Sequence, residues 1–517
     1  MGGAVFLSRI LGLVREQVFA FFFGAGMATD AYLVAFRIPN LFRDLFAEGA
    51  LSSAFVTVFS REKQEERSKE MARNVLTAMV LVVGVLCFLI FLFSPFLVSW
   101  MAPEFSQVPG KLELTTTLTR YFSPFLLLVA AAALAMGVLN TKGYFFVPSM
   151  GSAAFNLGNI VLGGVGAFWF RDQGVEAMIV AFTIGSVVGG ALQWMVQWPL
   201  LGKLGYPPLG FFRNFFSLAN LKAAFADPAL KKIAFLMAPS ILAVAAVQIN
   251  VLVNTILASG LVEGSVSWLN FAYRLLHFPL GVFGVALSAA SLPSFSRLLH
   301  ENKWDEFEHV LRKSVRFTWI LGLGSAAGLI AFREPLVSLL YEHGRFLRRD
   351  TLECARALTA YALALPALNT TKIFVQVFYA RDKVWIPSTM SLLLVVTHYF
   401  VAQWGAQHYG HVGIALATSI TSWANALILG FVLRAWKMHW VDFETLKVLM
   451  ASLMGAIMIL LFDIFGGAHW IMGLRDTSVL LFMVLTLLTV ASLGTFYLIL
   501  AAWPSSEFRA LLSRGIS

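Results

Sequence analysis

Eight charged residues interrupt the first apolar stretches of this chain: Arg9, Arg15, Glu16, Asp30, Arg37, Arg43, Asp44 and Glu48. A cation at the centre of a bilayer-spanning helix costs about 2.5–3.5 kcal/mol, so such groups either pair with one another or line a wet cavity. Asp30 and Arg37, seven residues apart, share a face of a continuous helix. Asp44 and Glu48 are like-charged at i,i+4 and need a cation to answer them, and Arg43 stands beside them. Arg9 and Arg15 are about 240° apart around a regular helix. Gly12 between them could admit a bend that turns both toward one cavity, and Pro39 could kink the second segment.

Further along, Asn270, Arg274 and His277 form a polar stripe at i, i+4 and i+7. Arg274 has no carboxylate within reach on its own helix; the nearest, Glu263, lies in the preceding loop. A guanidinium grips phosphate in two-pronged fashion, so Arg15, Arg43 and Arg274 together suggest a phosphate or pyrophosphate ligand. Arg37 and Arg120 fit helix-to-helix pairing or snorkelling equally well. Lys372, after Asn369-Thr370-Thr371, is the remaining cation in an apolar segment and could be neutral if well buried.

Other chemistries find little support. His300 and Asp305 resemble an acyltransferase acid–base pair but lie in a charged loop without a phosphate-binding sequence. His439 and Asp442 are too isolated for metal ligands, and no Walker A sequence occurs. The two cysteines, Cys87 and Cys354, read as small buried hydrophobes. Gly185-x-x-x-Gly189 and Gly324-x-x-x-Gly328 read as sites of close helix approach, and the apolar segment near 145–170 adds Gly158, Gly163, Gly164 and Gly166.

The elements that must position these residues follow from composition. Of 517 residues, 59% are hydrophobic and 13% charged, the net charge is +10, and the mean hydropathy is +0.77. Soluble globular chains run nearer about 25% charged, so a soluble enzyme, a disordered regulator and a nucleic-acid binder are nearly excluded. The expected fold is an all-α polytopic membrane protein of about 14 transmembrane helices. Spans are expected near 3–23, 29–58, 74–101, 115–139, 145–170, 174–200, 232–259, 265–296, 314–332, 355–380, 384–404, 411–434, 445–466 and 477–503. No cleavable signal peptide is expected, because Arg9 and Arg15 interrupt the first apolar stretch. With the N-terminus in the cytoplasm, 23 Lys and Arg fall on the cytoplasmic side, eight on the other side and seven within spans. Five of the outer eight lie in one loop, Arg333–Arg356. This split places both termini in the cytoplasm.

An internal repeat is readable. At an offset of 236, seven of the twelve positions from 50 to 61 are identical to those from 286 to 297. Collinear matches continue at Tyr121 with Tyr361 and at Val147-Pro148-Ser149 with Ile386-Pro387-Ser388. Six helices separate the copies, an even number, so two parallel six-helix lobes around a central cavity are expected, plus two extra C-terminal helices. The corresponding divisions are an N-lobe over 1–202, a cytoplasmic linker with an amphipathic segment over 203–230, a C-lobe over 231–436, and the last two spans with a cytoplasmic tail over 437–517.

The opening strings Ser8-Arg9-Ile10-Leu11-Gly12-Leu13-Val14-Arg15-Glu16, Phe23-Gly24-Ala25-Gly26-Met27-Ala28-Thr29-Asp30-Ala31, Phe36-Arg37-Ile38-Pro39-Asn40-Leu41-Phe42-Arg43 and Phe46-Ala47-Glu48-Gly49-Ala50 closely resemble the start of the MurJ/MviN family, lipid II flippases of the MOP exporter superfamily. Gly264-Ser265-Val266-Ser267-Trp268, Tyr273-Arg274-Leu275, Phe278-Pro279, Gly284-Val285-Ala286-Leu287, Tyr341-Glu342-His343-Gly344-Arg345-Phe346 and Lys372 extend the resemblance along essentially the whole chain. It implies movement of undecaprenyl-pyrophosphate-linked disaccharide-pentapeptide from the cytoplasmic to the periplasmic leaflet of the bacterial inner membrane, by alternating access and without enzymatic chemistry. It implies Arg15, Arg43 and Arg274 as holders of the pyrophosphate, with Arg9 and Asp30 functionally sensitive in the same cavity. Glu48, Lys372 and Asn270 are expected to support transport. The last two spans would form a groove for the lipid tail. Lipid II, membrane lipids and the cell-wall synthesis machinery are the implied partners, with no nucleic acid, metal or cofactor.

The chain departs from the family pattern in places. Tyr273 and His277 stand where some relatives are acidic. Where the sodium site of some members uses carboxylates, only Gln248, Asn250, Asn254 and His398 are present, which points to membrane potential or another ion as the driving force. The start of the chain also differs from that of relatives, so the first helix is expected to be truncated or its start misassigned. Competing readings are a flippase for another polyprenyl-pyrophosphate oligosaccharide of O-antigen type, and a multidrug exporter of the same superfamily, which predicts acidic residues in the cavity. A membrane glycosyltransferase or acyltransferase would need a carboxylate or His–Asp site that the sequence does not offer.

Overall fold

Long apolar runs between polar breaks close every backbone hydrogen bond within the segment, which is what a helix in lipid requires. The computed structural model describes residues 2–44, 51–62, 64–206 and 218–464; among them every regular element is helical. Contacts divide the chain into two units, Met1–Ser267 and Trp268–Ser517. Eight described helical stretches are long and apolar enough to cross a membrane, which makes this a multi-pass membrane chain. The expected span at 477–503 lies outside the described residues.

Unit 1 contains α1 (Gly2–Phe23), α2 (Met27–Phe42), α3 (Ser52–Phe59), α4 (Glu65–Met101) and α5 (Lys111–Thr141). It continues with α6 (Phe146–Trp169), α7 (Val175–Met195), α8 (Leu218–Ala226) and α9 (Pro228–Ser259). At 37 residues α4 is about 55 Å long, well beyond the ~30 Å hydrocarbon thickness. Its charged first turns therefore stand in water. The start of α9 is set by Asp227, whose side chain accepts from the Ala229 amide, and by Pro228 in the first turn. Of the linker expected over 203–230, the structure describes α8, and 207–217 lie outside the described residues.

The close approach expected of Gly185 and Gly189 is present. A Cβ at Gly185 would overlap the backbone of Gly163, and one at Gly189 would sit 2.8 Å from the Phe155 carbonyl oxygen. Gly12 behaves differently from expectation. α1 runs unbroken through it, and its face lies 3.5 Å from Asn156 Nδ2, whose amide donates to the Ser8 carbonyl at 3.0 Å. Gly12 packs α1 on α6 without breaking the helix.

Unit 2 takes in most of α10 (Ser265–Pro279), then α11 (Val285–His300), α12 (Trp304–Ala331), α13 (Arg333–Tyr341) and α14 (Arg348–Ala362). α15 (Leu365–Ala380), α16 (Trp385–Tyr409), α17 (His411–Ala435) and α18 (Phe443–Ile464) follow. Two expectations change here. The loop read over Arg333–Arg356 folds into α13 and the start of α14, held together by Arg348, which reaches Glu334 at 2.6 Å and Glu342 at 3.6 Å. In α12 Gly322 makes a close contact, against Pro366; Gly328 has open space around it. The sequence spacing picked out a glycine pair whose second member faces nothing.

The repeat is visible in packing. Phe59 is buried in a cluster with Phe55, Met71, Val75 and Leu139, and its repeat equivalent Phe295 is buried with Phe307, Leu311, Phe374 and Leu433. Wide π-type turns occur at residues 43–44 and 51, at Asn159–Gly163 and at Leu280–Gly284; residues 44 and 280, in the first and last of these, are related by the repeat offset of 236. Such turns leave helical carbonyls out of register and recur at functional sites.

Candidate functional site

Asp30 is the most enclosed of the expected site residues that the structure describes, at 2% exposure. Its position in the first turn of α2 suits an acidic side chain. Its carboxylate accepts from the Gly264 amide at 3.0 Å, the Ser267 amide at 3.1 Å and the Ser267 hydroxyl at 2.6 Å. Lys111 Nζ completes the cage at 3.1 Å. Lys111 falls in the connection between the expected spans 74–101 and 115–139. It opens α5, 4% exposed, with its ammonium 4.1 Å from the centre of the Phe105 ring. Beside the cage, Glu263 accepts from the Met27 amide at 2.7 Å. The first turns of α2 and α10 thus each receive a carboxylate from the other segment.

Arg15 and Arg43 are set more loosely. Arg15 pairs with Glu16 at 2.5 Å, the two side chains 14% and 11% exposed, and its guanidinium lies 5.4 Å from the Phe155 ring centre. Arg43 gives Nε and Nη2 to one oxygen of Asp44, at 3.1 and 2.9 Å, with exposures of 21% and 20%. The expectation that Arg43 answers Asp44 is met. Glu48, the other carboxylate it was expected to answer, lies outside the described residues. The second oxygen of Asp44 accepts from Gln248 Nε2 at 3.0 Å and from Asn40 at 3.5 Å.

The remaining candidates are spread over both units. Arg9 is exposed on α1. In unit 2, Arg274 and His277 are exposed and Asn270 is half-buried one turn earlier, as a stripe on one face of α10 requires. The His277 ring lies 4.2 Å from Tyr273. Lys372 is half-buried, and its chain packs on Gly284 at the π-type turn beside Asn369. Of the residues weighed for sodium, Gln248 serves Asp44, and His398 is fully buried with Nδ1 3.1 Å from the Thr421 hydroxyl. No cluster of three or more metal-ligating side chains occurs among the described residues.

Two charged docks escaped the sequence reading. In unit 1, buried Asp227 receives Arg67 at 2.8 Å and Asn74 Nδ2 at 2.8 Å. In unit 2, Asp442 receives both the Arg316 guanidinium, at 2.8 and 2.9 Å, and the Thr445 amide and hydroxyl, at 2.8 and 2.6 Å. Burial alone would raise the Asp442 carboxyl, but the Thr445 and Arg316 bonds outweigh it and hold it down at about 2. Nearby, Glu308 accepts from the His439 amide at 2.9 Å and from Arg312 at 3.0 Å. The signals were present: Asp227-Pro228 and Asp442-x-x-Thr445 are helix-start patterns.

A family profile described as lipid II flippase MurJ matches residues 19–492. The chain belongs to the MurJ family. A probable lipid II flippase MurJ from Buchnera aphidicola subsp. Schizaphis graminum is 34% identical over 445 residues, covering 85% of this chain and 82% of the relative. The lipid II flippase MurJ of Burkholderia cenocepacia is 30% identical over 515 residues, covering 92% and 96%. A solved structure of lipid II flippase MurJ in an inward closed conformation superposes with a TM-score of 0.77 at 25% identity, covering 97% of this chain and 99% of the other. An inward-facing multidrug resistance MATE family transporter of the MOP superfamily, 16% identical with a TM-score of 0.65 over 83% and 94% of the two chains, shares the fold. MurJ membership thus rests on sequence along nearly the whole chain as well as on architecture.

Proposed function

We propose that this chain is a lipid II flippase, a transporter rather than an enzyme. It carries the undecaprenyl-pyrophosphate-linked peptidoglycan precursor from the cytoplasmic to the periplasmic leaflet of the bacterial inner membrane by alternating access. The observation that carries the reading is the MurJ match over residues 19–492, supported by curated flippases at 30% and 34% identity. The 23-to-8 split of cations supports cytoplasmic termini.

In this reading Arg15, Arg43 and Arg274 grip the pyrophosphate, Arg9 adds charge on the same helix as Arg15, and Asp30 holds the starts of α2 and α10. Asn270, Lys372 and Glu48 support the transport cycle. The membrane potential, worth about 2.3 kcal/mol per charge per 100 mV, or an ion resets the carrier, and the cell-wall synthesis machinery supplies or consumes the cargo. A multidrug exporter is disfavoured, because cations rather than lone carboxylates are the distinctive charges of α1, α2 and α10. The test is depletion of the resident flippase in a bacterium, with this chain supplied in its place. Growth with normal cell shape is expected. Lysis despite good membrane expression would refute the reading.

A further inference from the structure

Each of the two candidate phosphate-gripping arginines of unit 1 is paired with the carboxylate of the very next residue, Arg15 with Glu16 and Arg43 with Asp44. Side chains at i and i+1 leave a helix about 100° apart and do not face each other. The guanidinium must therefore fold sideways to reach its neighbour, and the pairing is less favourable than one along a helix face. The Arg15, Arg43 and Asp44 side chains stay 14% to 21% exposed, while Glu16 is buried at 8%, so a ligand can reach both arginines. Asp44 takes Nε and Nη2 on one oxygen, the side-on fork that a phosphate oxygen would otherwise occupy. Its other oxygen already has a second donor, Gln248 Nε2 at 3.0 Å, which can retain the carboxylate after Arg43 has let go.

We propose that Glu16 and Asp44 are exchangeable internal counterions that occupy Arg15 and Arg43 until a pyrophosphate displaces them, and so set the charge selectivity of the site. This rests on the pyrophosphate-bearing substrate proposed above. With both carboxylates in place each arginine is neutralised, and a half-buried cation is spared the cost of standing alone. A ligand must then out-compete a carboxylate at each arginine. A pyrophosphate offers more charged oxygens for this than a single phosphate group does. On release the carboxylates return, which limits how tightly the cargo is held.

The test uses the purified full chain in detergent, with geranylgeranyl pyrophosphate and geranylgeranyl monophosphate as probes and calorimetry as the readout. The wild type is expected to prefer the pyrophosphate. Glu16→Gln and Asp44→Asn are each expected to bind the pyrophosphate about five- to tenfold tighter, roughly 1–1.4 kcal/mol at 1.4 kcal/mol per tenfold, and to lose part of the preference over the monophosphate. Glu16→Ala and Asp44→Ala carry the same expectation if an amide variant does not fold. Weaker or unchanged pyrophosphate binding in the variants overturns the proposal, because carboxylates that merely orient their arginines would lower affinity when removed. A wild type that does not distinguish the two probes refutes the pyrophosphate substrate itself, and the proposal with it.

Discussion

Asp30 and the Arg15–Glu16 and Arg43–Asp44 pairs are all charges held in apolar segments of unit 1, yet they are built oppositely. Asp30 and Lys111 are nearly sealed and every contact is supplied from another segment: an ammonium, two backbone amides and a hydroxyl. The two arginines are partly open, their side chains 14% and 21% exposed, and the carboxylate comes from the adjacent residue. A charge satisfied from several segments is costly to disturb and joins those segments. A charge satisfied by its neighbour is inexpensive to exchange. The difference separates residues that hold the structure from residues available to a ligand, although all of them look alike in a census of membrane charges.

Stability measurements can break that distinction. Asp30→Asn leaves Lys111 buried without its counterion and is expected to destabilise by about 3–5 kcal/mol, read as a large fall in the thermal midpoint of the detergent-solubilised chain. Asp30→Asn with Lys111→Met should recover much of that loss, because replacing a whole buried pair is far milder than removing one partner. A single variant with an unchanged midpoint would show that the cage does not join its segments.

A smaller loss, about 1–3 kcal/mol, is expected for Asp227→Asn, which weakens a buried helix cap and the Arg67 and Asn74 bonds together. The equivalent dock at Asp442 is more open, so Asp442→Asn should cost about 1 kcal/mol after solvent screening. Its contribution carries a pH signature. The folded carboxyl is held at about 2, below its ordinary value of 3.8, so the stabilisation is full above pH 4 and fades as pH falls through about 2. Midpoints of wild type and Asp442→Asn should differ by a constant amount from pH 8 to pH 5 and converge in strong acid. A gap that closes near neutrality would contradict the assignment. The smallest effect is expected at the more open arginine pair, where Asp44→Asn should change stability by less than about 1 kcal/mol while changing ligand affinity.

Much of this was legible in the chain. The all-α membrane class follows from hydropathy, and eleven of the expected spans coincide closely with single helices or helix–turn units, from α1 at Gly2–Phe23 to α18 at Phe443–Ile464. The Arg43–Asp44 pair and the α10 stripe follow from spacing. What escaped was long-range. Nothing in the local sequence of Lys111 says that Asp30, 81 residues earlier, will fold over it, and the expected spans leave that lysine in a connection. The span expected over 355–380 is interrupted between α14 and α15, where Pro366 sits in the first turn of a new helix. α13 and the start of α14 fall in the expected loop because their charges mask an amphipathic pattern. Glycine spacing located Gly185 correctly and Gly328 wrongly, since spacing reports a shared face but not what stands opposite.

The central claim is that partly open arginines, and not the sealed Asp30 cage, hold the anionic cargo. It is tested most directly by supplying Arg15→Lys, Arg43→Lys and Arg274→Lys variants to a flippase-depleted bacterium and measuring lipid II exposed on the periplasmic leaflet. Lysine keeps the charge but loses the two-pronged grip. Normal membrane levels and thermal midpoints with translocation sharply reduced in each variant are predicted. Wild-type translocation in all three would contradict it.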